Sequence, residues 1–282
     1  MIPRFHRQLV SAMLIIAGQG ALAETAPAVE LKQKTIEAFN HYVQLTEARM
    51  DEELADGNGF LWPDRLPEAR HENVFAQLKQ GQIVIEKMET REKGNRIPVP
   101  DGLVHHWVAV VFIPEVKLPQ TLALLQDYER QQDLYKPDVQ QSRLLSREGE
   151  IFKVYMRFHR KAIVTAVYNA EFEIHYFAVD RSRGYNRAFS TRIAEVENPG
   201  NPDEHEKPIG KDRGYLWRLN TYGRYEEKDG GVYLQIEFIA LSRSVPAILA
   251  WLVNPYIKSV PRSYLTGLLQ ATRKALVASK LR

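Results

Sequence analysis

Cysteine is absent from all 282 residues. That excludes a disulfide framework, a thiol nucleophile and any zinc site built on thiolates, so stability has to come from an ordinary hydrophobic core. No Gly-x-Ser-x-Gly elbow, phosphate-binding loop or dinucleotide fingerprint occurs, which removes the usual signatures of serine hydrolases, kinases and dehydrogenases. Internal repeats and low-complexity tracts are also missing. Acidic residues are absent from the first 23 positions, and no hydrophobic run beyond that segment approaches the length of a membrane span.

The acid-free segment is itself informative. Arg4 and Arg7 precede the apolar stretch LVSAMLIIAG, and Ala21 and Ala23 occupy the small-residue positions of a signal-peptidase site. Residues 1–23 are read as a signal peptide cleaved between Ala23 and Glu24, with the mature protein periplasmic or secreted. Removing Arg4 and Arg7 leaves 36 Lys and Arg against 35 Asp and Glu. A balance this even, without a clustered basic surface, gives no reason to expect a nucleic-acid partner.

Residues 24–100 read as an N-terminal helical extension. Ile36, Phe39, Tyr42, Val43, Leu45 and Met50 recur near a helical period over 31–54, with Thr35 placed to cap an inner turn. A second helix is expected over 66–79, then a short strand and a polar Pro/Gly linker that places a boundary near residue 100. From 102 onward the pattern changes to strands rich in β-branched and aromatic residues, with Asp229-Gly230 as the clearest hairpin turn. The long polar loop 197–214 is either a lid or a solvated excursion. A final helix is expected from Pro261, with Leu265, Leu268, Leu269, Thr272 and Leu276 as its buried stripe.

Strand alternation sorts these segments into two rows. One runs Tyr168, Ala170, Phe172, Ile174, Tyr176; Phe189, Thr191, Ile193; Trp217, Leu219, Thr221; Leu234, Ile236, Phe238. It is apolar enough to face a helix, as packed core or as pocket lining, which are made of the same residue types. The other row is polar: Asn169, Glu171, Glu173, His175; Ser190, Arg192; Arg218, Asn220, Tyr222, Arg224; Gln235, Glu237. It fits a solvated sheet face, or a face covered by the N-terminal helices, or one curling into a cavity. His105 and His106 are neighbours on a strand and point to opposite sides, so they cannot chelate one metal together. Trp107 then belongs to core or pocket, with one of the two histidines at the surface. No metal and no cofactor is expected.

The order of elements over 102–280, strand, short helices, strand meander and long C-terminal helix, resembles the START-like (SRPBCC) superfamily of helix-grip proteins. The run SVPAILAWLVNPYIKSVPRS, before and into the last helix, carries part of that likeness. HHW at 105–107 and RGYLWRLNTYGRYE at 213–226 are similar to segments of uncharacterised secreted bacterial proteins. The resemblance implies an α+β fold, a curved antiparallel sheet wrapped around the C-terminal helix with a cavity between them. It implies a lipid-like, hydrophobic or amphipathic ligand there. The lining expected is Trp107, Tyr168, Phe172, Phe189, Trp217, Leu265 and Leu269, with Arg218, Asn220, Tyr222 and Glu237 as polar contacts. Transient membrane contact through AILAWLVNPYI is a further expectation, against a plain buried lid. Two rival classes remain: an acid–base enzyme of polyketide-cyclase type using Glu171, Glu173, His175, Tyr222 or Glu237, and a protein–protein module presented by 24–100.

Overall fold

The computed structural model describes residues 28–161, 165–244 and 247–279. Residues 1–23, where a signal peptide is expected, and the side chains of the AILAWLVNPYI run lie outside the described residues. The chain is α+β. A short strand β1 (Val29–Glu30) leads into helix α1 (Gln33–Ala55), a 3-10 turn at Trp62–Arg65, helix α2 (Glu68–Lys79) and strand β2 (Ile83–Lys87). A small hairpin β3 (Arg91–Glu92) and β4 (Asn95–Arg96) precedes β5 (Gly102–Pro114), helix α3 (Leu118–Leu125) and helix α4 (Gln131–Leu134). Then come β6 (Val139–Glu148), β7 (Ile151–Lys161), β8 (Thr165–Ala178) and β9 (Arg183–Glu197). The short strands β10 (His205–Glu206) and β11 (Lys211–Asp212) are followed by β12 (Arg218–Lys228), β13 (Gly231–Arg243) and the long helix α5 (Ala247–Ser279).

The main sheet runs β2-β5-β13-β12-β9-β8-β7-β6 and is antiparallel at every pairing, with β10 added against the end of β9. Strand β2 comes from the 24–100 segment, so the sheet begins before residue 102. Asp229 and Gly230 both take positive φ, 55° and 74°, and close the β12–β13 hairpin as their turn chemistry predicts.

Helix α5 crosses one side of this sheet against β5 and β2, and α1 with α2 covers the other side. Phe39, Tyr42, Val43 and Met50 of α1 are buried among Trp217, Tyr222, Ile239 and Leu241, while Val74 and Leu78 of α2 pack with Val110, Phe112 and Tyr233. Each N-terminal helix therefore presents one apolar stripe to the sheet, as the 3.6-residue period requires. Two local expectations are corrected. Thr35 does not cap a turn; its hydroxyl donates to the carbonyl of Pro100 at 2.8 Å, tying α1 to the entry of β5. The last helix does not start at Pro261 but at Ala247, continuing through Pro255 and Pro261. Each proline withdraws one backbone donor and costs about 3 kcal/mol in a helix interior, so packing rather than propensity has to hold the helix, and Leu265, Leu269 and Leu276 supply it after Pro261.

Candidate functional site

The sheet separates two environments. On the α5 side, β5 presents Trp107, Ala109, Val111 and Ile113, and β13 presents Leu234, Phe238 and Ala240. Strand β8 presents Tyr168, Ala170, Phe172, Ile174 and Tyr176, and Leu265, Leu269 and Leu276 of α5 close over them in one buried cluster. The structure thus brings together Trp107, Tyr168, Phe172, Leu265 and Leu269 of the expected lining.

Phe189 and Trp217 are not with them. Strict alternation would place Phe189, Thr191 and Ile193 on one face, but the β8–β9 register shifts between Glu171 and Phe172. Arg192 pairs with Glu171 and Ser190 with Phe172, leaving Thr191 as the extra residue. One inserted residue flips the side-chain parity of everything beyond it. Ile193 consequently faces α5 and Phe189 the α1 side; Trp217, which precedes β12, is also on the α1 side with Tyr222, its indole N–H held by Asp212 at 3.0 Å.

The polar row divides in two. Glu171, Glu173, His175 and Arg192 are only partly buried, as a solvated face should be. Loop 197–214 is strapped over this half. Arg157 donates to both carboxylate oxygens of Glu204 at 2.9 Å, and Glu206 accepts from Arg192 and, at 2.8 Å, from Asn169. The Glu204–Glu206 stretch lies on the side away from α5, while Lys207 and Arg213 of the same loop turn to Glu195, which pairs with Tyr168 on the α5 face.

The other half, Asn220, Tyr222, Arg224, Gln235 and Glu237, is buried beneath α1. Glu237 accepts from His106 Nε2 at 2.7 Å and from Arg49. With Nε2–H turned to the carboxylate, His106 Nδ1 meets the Tyr42 hydroxyl at 2.8 Å, and that oxygen accepts from Thr90 N–H at 2.8 Å. Arg49 also reaches Glu53 at 2.6 Å, which is shared with Arg224 at 2.7 Å, and Arg224 donates to the Phe60 carbonyl at 2.8 Å. Tyr222 donates to Glu47 at 2.8 Å, and the Gln235 side-chain oxygen accepts from Trp62 N–H at 2.6 Å. Burial pushes the Glu237 carboxyl upward, but the His106 hydrogen bond and the charges of Arg49 and Arg224 outweigh it, so its pKa lies below the ordinary carboxylate value. Burial, with Glu47 close by, pushes the Tyr222 hydroxyl up. Arg218 is half-buried beside this group, donates to the Trp217 carbonyl at 2.8 Å, and has its pKa lowered by burial.

Sequence reasoning missed Arg49, Glu53, Tyr42 and His106 as members of this group. Arg49 and Glu53 stand four apart on a helix, the spacing of any ordinary i,i+4 ion pair, and nothing in the sequence marks them as more. Nor is either histidine at the surface as expected. His106 is 2% exposed under α1, and His105, on the Trp107 side, bonds Ser242 Oγ at 2.9 Å while burial lowers its pKa to about 4.

Polar groups do reach the α5 side, mostly in closed pairs. The hydroxyls of Tyr128 and Tyr176 bond each other at 2.8 Å, Tyr135 bonds Thr272 at 3.0 Å, and Tyr225 donates to Asn186. Gly223 sits against that last pair, where a Cβ would overlap both the Asn186 side-chain oxygen and the Tyr225 hydroxyl. Gly223→Ala is therefore expected to destabilise the protein by about 1–3 kcal/mol through overpacking, read from the urea midpoint at unchanged slope.

No protein-family model matches the chain, and no curated protein matches it in sequence. Among solved structures it is similar to a STAR-related lipid transfer protein from Xanthomonas axonopodis, at 17% identity and a TM-score of 0.45, over 68% of this chain and 98% of that one. Human STARD10 is similar at 10% identity and a TM-score of 0.43, over 78% and 84% of the two chains. The Zhui aromatase/cyclase from a Streptomyces species is similar at 11% identity and 0.41, over 64% and 97%. On its own element order and sheet register, the fold is START-like: a helix-grip sheet crossed by a long C-terminal helix.

Proposed function

We propose that the protein is an exported binding protein that holds a hydrophobic or amphipathic, lipid-like molecule between the sheet and α5. The observation that carries this reading is the segregation of the two faces. Glu237, Tyr222, Glu171, Glu173 and His175, the residues an acid–base mechanism would have drawn on, all lie on the side away from α5. The buried ones among them are engaged by partners beneath α1. What remains under α5 is a largely apolar surface from β5, β7, β8, β13 and α5 itself, with alanines at 109, 170, 188 and 240 keeping its middle low and the Glu195–Arg213 pair at one end. An apolar interior with few polar groups is the chemistry of a site that takes up apolar ligands.

A protein–protein module on 24–100 would need exposed apolar surface there. The markedly exposed large apolar side chains among the described residues are Leu145, Ile151, Phe177, Val179, Ile209 and Val277, none of them in 28–100. The N-terminal helices spend their apolar stripes on the sheet instead.

The test is extraction of the mature protein purified from its native compartment. Mass spectrometry of the organic extract is expected to show an apolar molecule near one per chain. A ligand-free protein that also fails to take up a neutral fluorescent probe such as N-phenylnaphthylamine sinks the binding reading. Export is checked separately: the chain should appear in the periplasm or medium, shortened to begin at Glu24.

A further inference from the structure

One polar group under α5 is not in a closed pair. Tyr168 is 3% exposed, faces α5 from β8 among Phe158, Phe172 and Ala170, and its hydroxyl has no hydrogen-bond partner among the described residues. The contrast with Tyr128, Tyr135, Tyr176 and Tyr225, each of whose hydroxyls has a partner, is sharp. Burying a hydroxyl without a partner costs on the order of 1–3 kcal/mol, and phenylalanine would fill the same space without that cost. The hydroxyl is thus set up to meet something that enters from outside the chain.

The surroundings say what kind of group that is. Directly across the β8–β9 ladder stands Glu195, fully buried on the same face. Its carboxylate accepts from the backbone N–H of Arg213 at 2.9 Å and from the Arg213 guanidinium, with Lys207 Nζ at 3.7 Å. The Arg213 guanidinium is therefore committed to Glu195, Lys207 is shared with Glu197 at 3.3 Å, and Asp212 adds a second buried carboxyl, engaged by Gly214 N–H at 2.6 Å and Trp217 Nε1 at 3.0 Å. Among the described residues around Tyr168 no free positive charge is left to receive an anion, and the Glu195 carboxylate would repel one. Burial also keeps Tyr168 protonated, its pKa pushed well above the usual value, so it can donate as well as accept.

Resting on the binding reading, we propose that Tyr168 is the polar anchor of the interior and selects hydrophobic ligands ending in an uncharged oxygen, an alcohol or a carbonyl, over carboxylates. The apolar body then lies along Phe158, Phe172, Trp107 and Leu269, with its oxygen end at the Glu195–Arg213 end of the sheet.

The experiment uses protein stripped of bound lipid, loaded with N-phenylnaphthylamine and titrated at neutral pH with dodecanol or dodecanoate. Wild type is expected to release the probe at lower dodecanol than dodecanoate. Tyr168→Phe is expected to weaken dodecanol five- to tenfold, the scale of one net hydrogen bond, with probe and dodecanoate affinities unchanged. Ligand-free Tyr168→Phe should melt at or above the wild-type temperature, since the lost hydroxyl had no partner. Equal displacement by the two competitors, an unaltered dodecanol affinity in the variant, or a clearly lowered melting temperature would each overturn the anchor. Failure of the probe to bind wild type, before any competitor is added, overturns the binding reading itself and so is distinct.

Discussion

Replacing Glu237 with alanine is expected to lower the unfolding free energy by about 3–5 kcal/mol, measured by urea denaturation. The carboxylate is 2% exposed and accepts from both His106 and Arg49. Its removal strips the buried His106 of the acceptor that orients its ring and leaves Arg49, itself 32% exposed, with Glu53 alone. The size of the loss comes less from what the pair contributes than from the uncompensated groups left behind. Glu237→Gln should cost less, because the amide keeps the volume and one oxygen acceptor.

The same group predicts the direction of a pH effect. The Glu237 pKa is lower in the folded protein than in an unfolded chain, where a glutamate titrates near ~4.3. Its contribution is fully present above that unfolded value and is lost as pH falls through the depressed folded one. Stability of the wild type should therefore drop more steeply through the acid range than that of Glu237→Gln. Curves that fall in parallel would show that Glu237 is not held ionised by its neighbours.

Much of the fold was legible because local patterns carry it. The alternation of Tyr168, Ala170, Phe172, Ile174 and Tyr176 gave the α5-facing side of β8 correctly, and Asp229-Gly230 gave a hairpin. What failed was everything set by distant contacts. Thr191 has no mark that distinguishes a bulge from an ordinary strand residue, yet it moves Phe189 to the opposite side. Arg49 and Glu53 are polar positions on a helix of mixed polarity, and only docking of α1 on β13 turns them into partly buried partners of Glu237 and Arg224. An alternating strand likewise cannot say whether its polar face meets water or another helix, and here the one row does both, from Glu173 at the partly solvated end to Glu237 beneath α1. The unpartnered hydroxyl of Tyr168 was invisible for the same reason, since partners are a property of the folded surroundings.

Phe39→Ala is expected to destabilise the protein by about 3–5 kcal/mol and to do so within a single unfolding transition. Phe39 is 1% exposed at the contact between α1 and the sheet, packed with Trp217, Tyr222, Ile239 and Leu241. If residues 24–100 were an appendage on a self-sufficient sheet, truncating this side chain would loosen α1 alone and a second transition would emerge, seen by comparing tryptophan fluorescence with far-ultraviolet circular dichroism. The buried ion pairs argue otherwise. Once α1 and the turn after it leave, Glu237, Arg224 and Gln235 lose partners supplied by Arg49, Glu53, Phe60 and Trp62, and a sheet face carrying those bare groups has no stable dry state. Strand β2, hydrogen-bonded to β5, ties the N-terminal segment into the sheet as well. Coincident transitions, shifted together to lower urea, would place α1 inside the cooperative unit that presents the apolar face to α5.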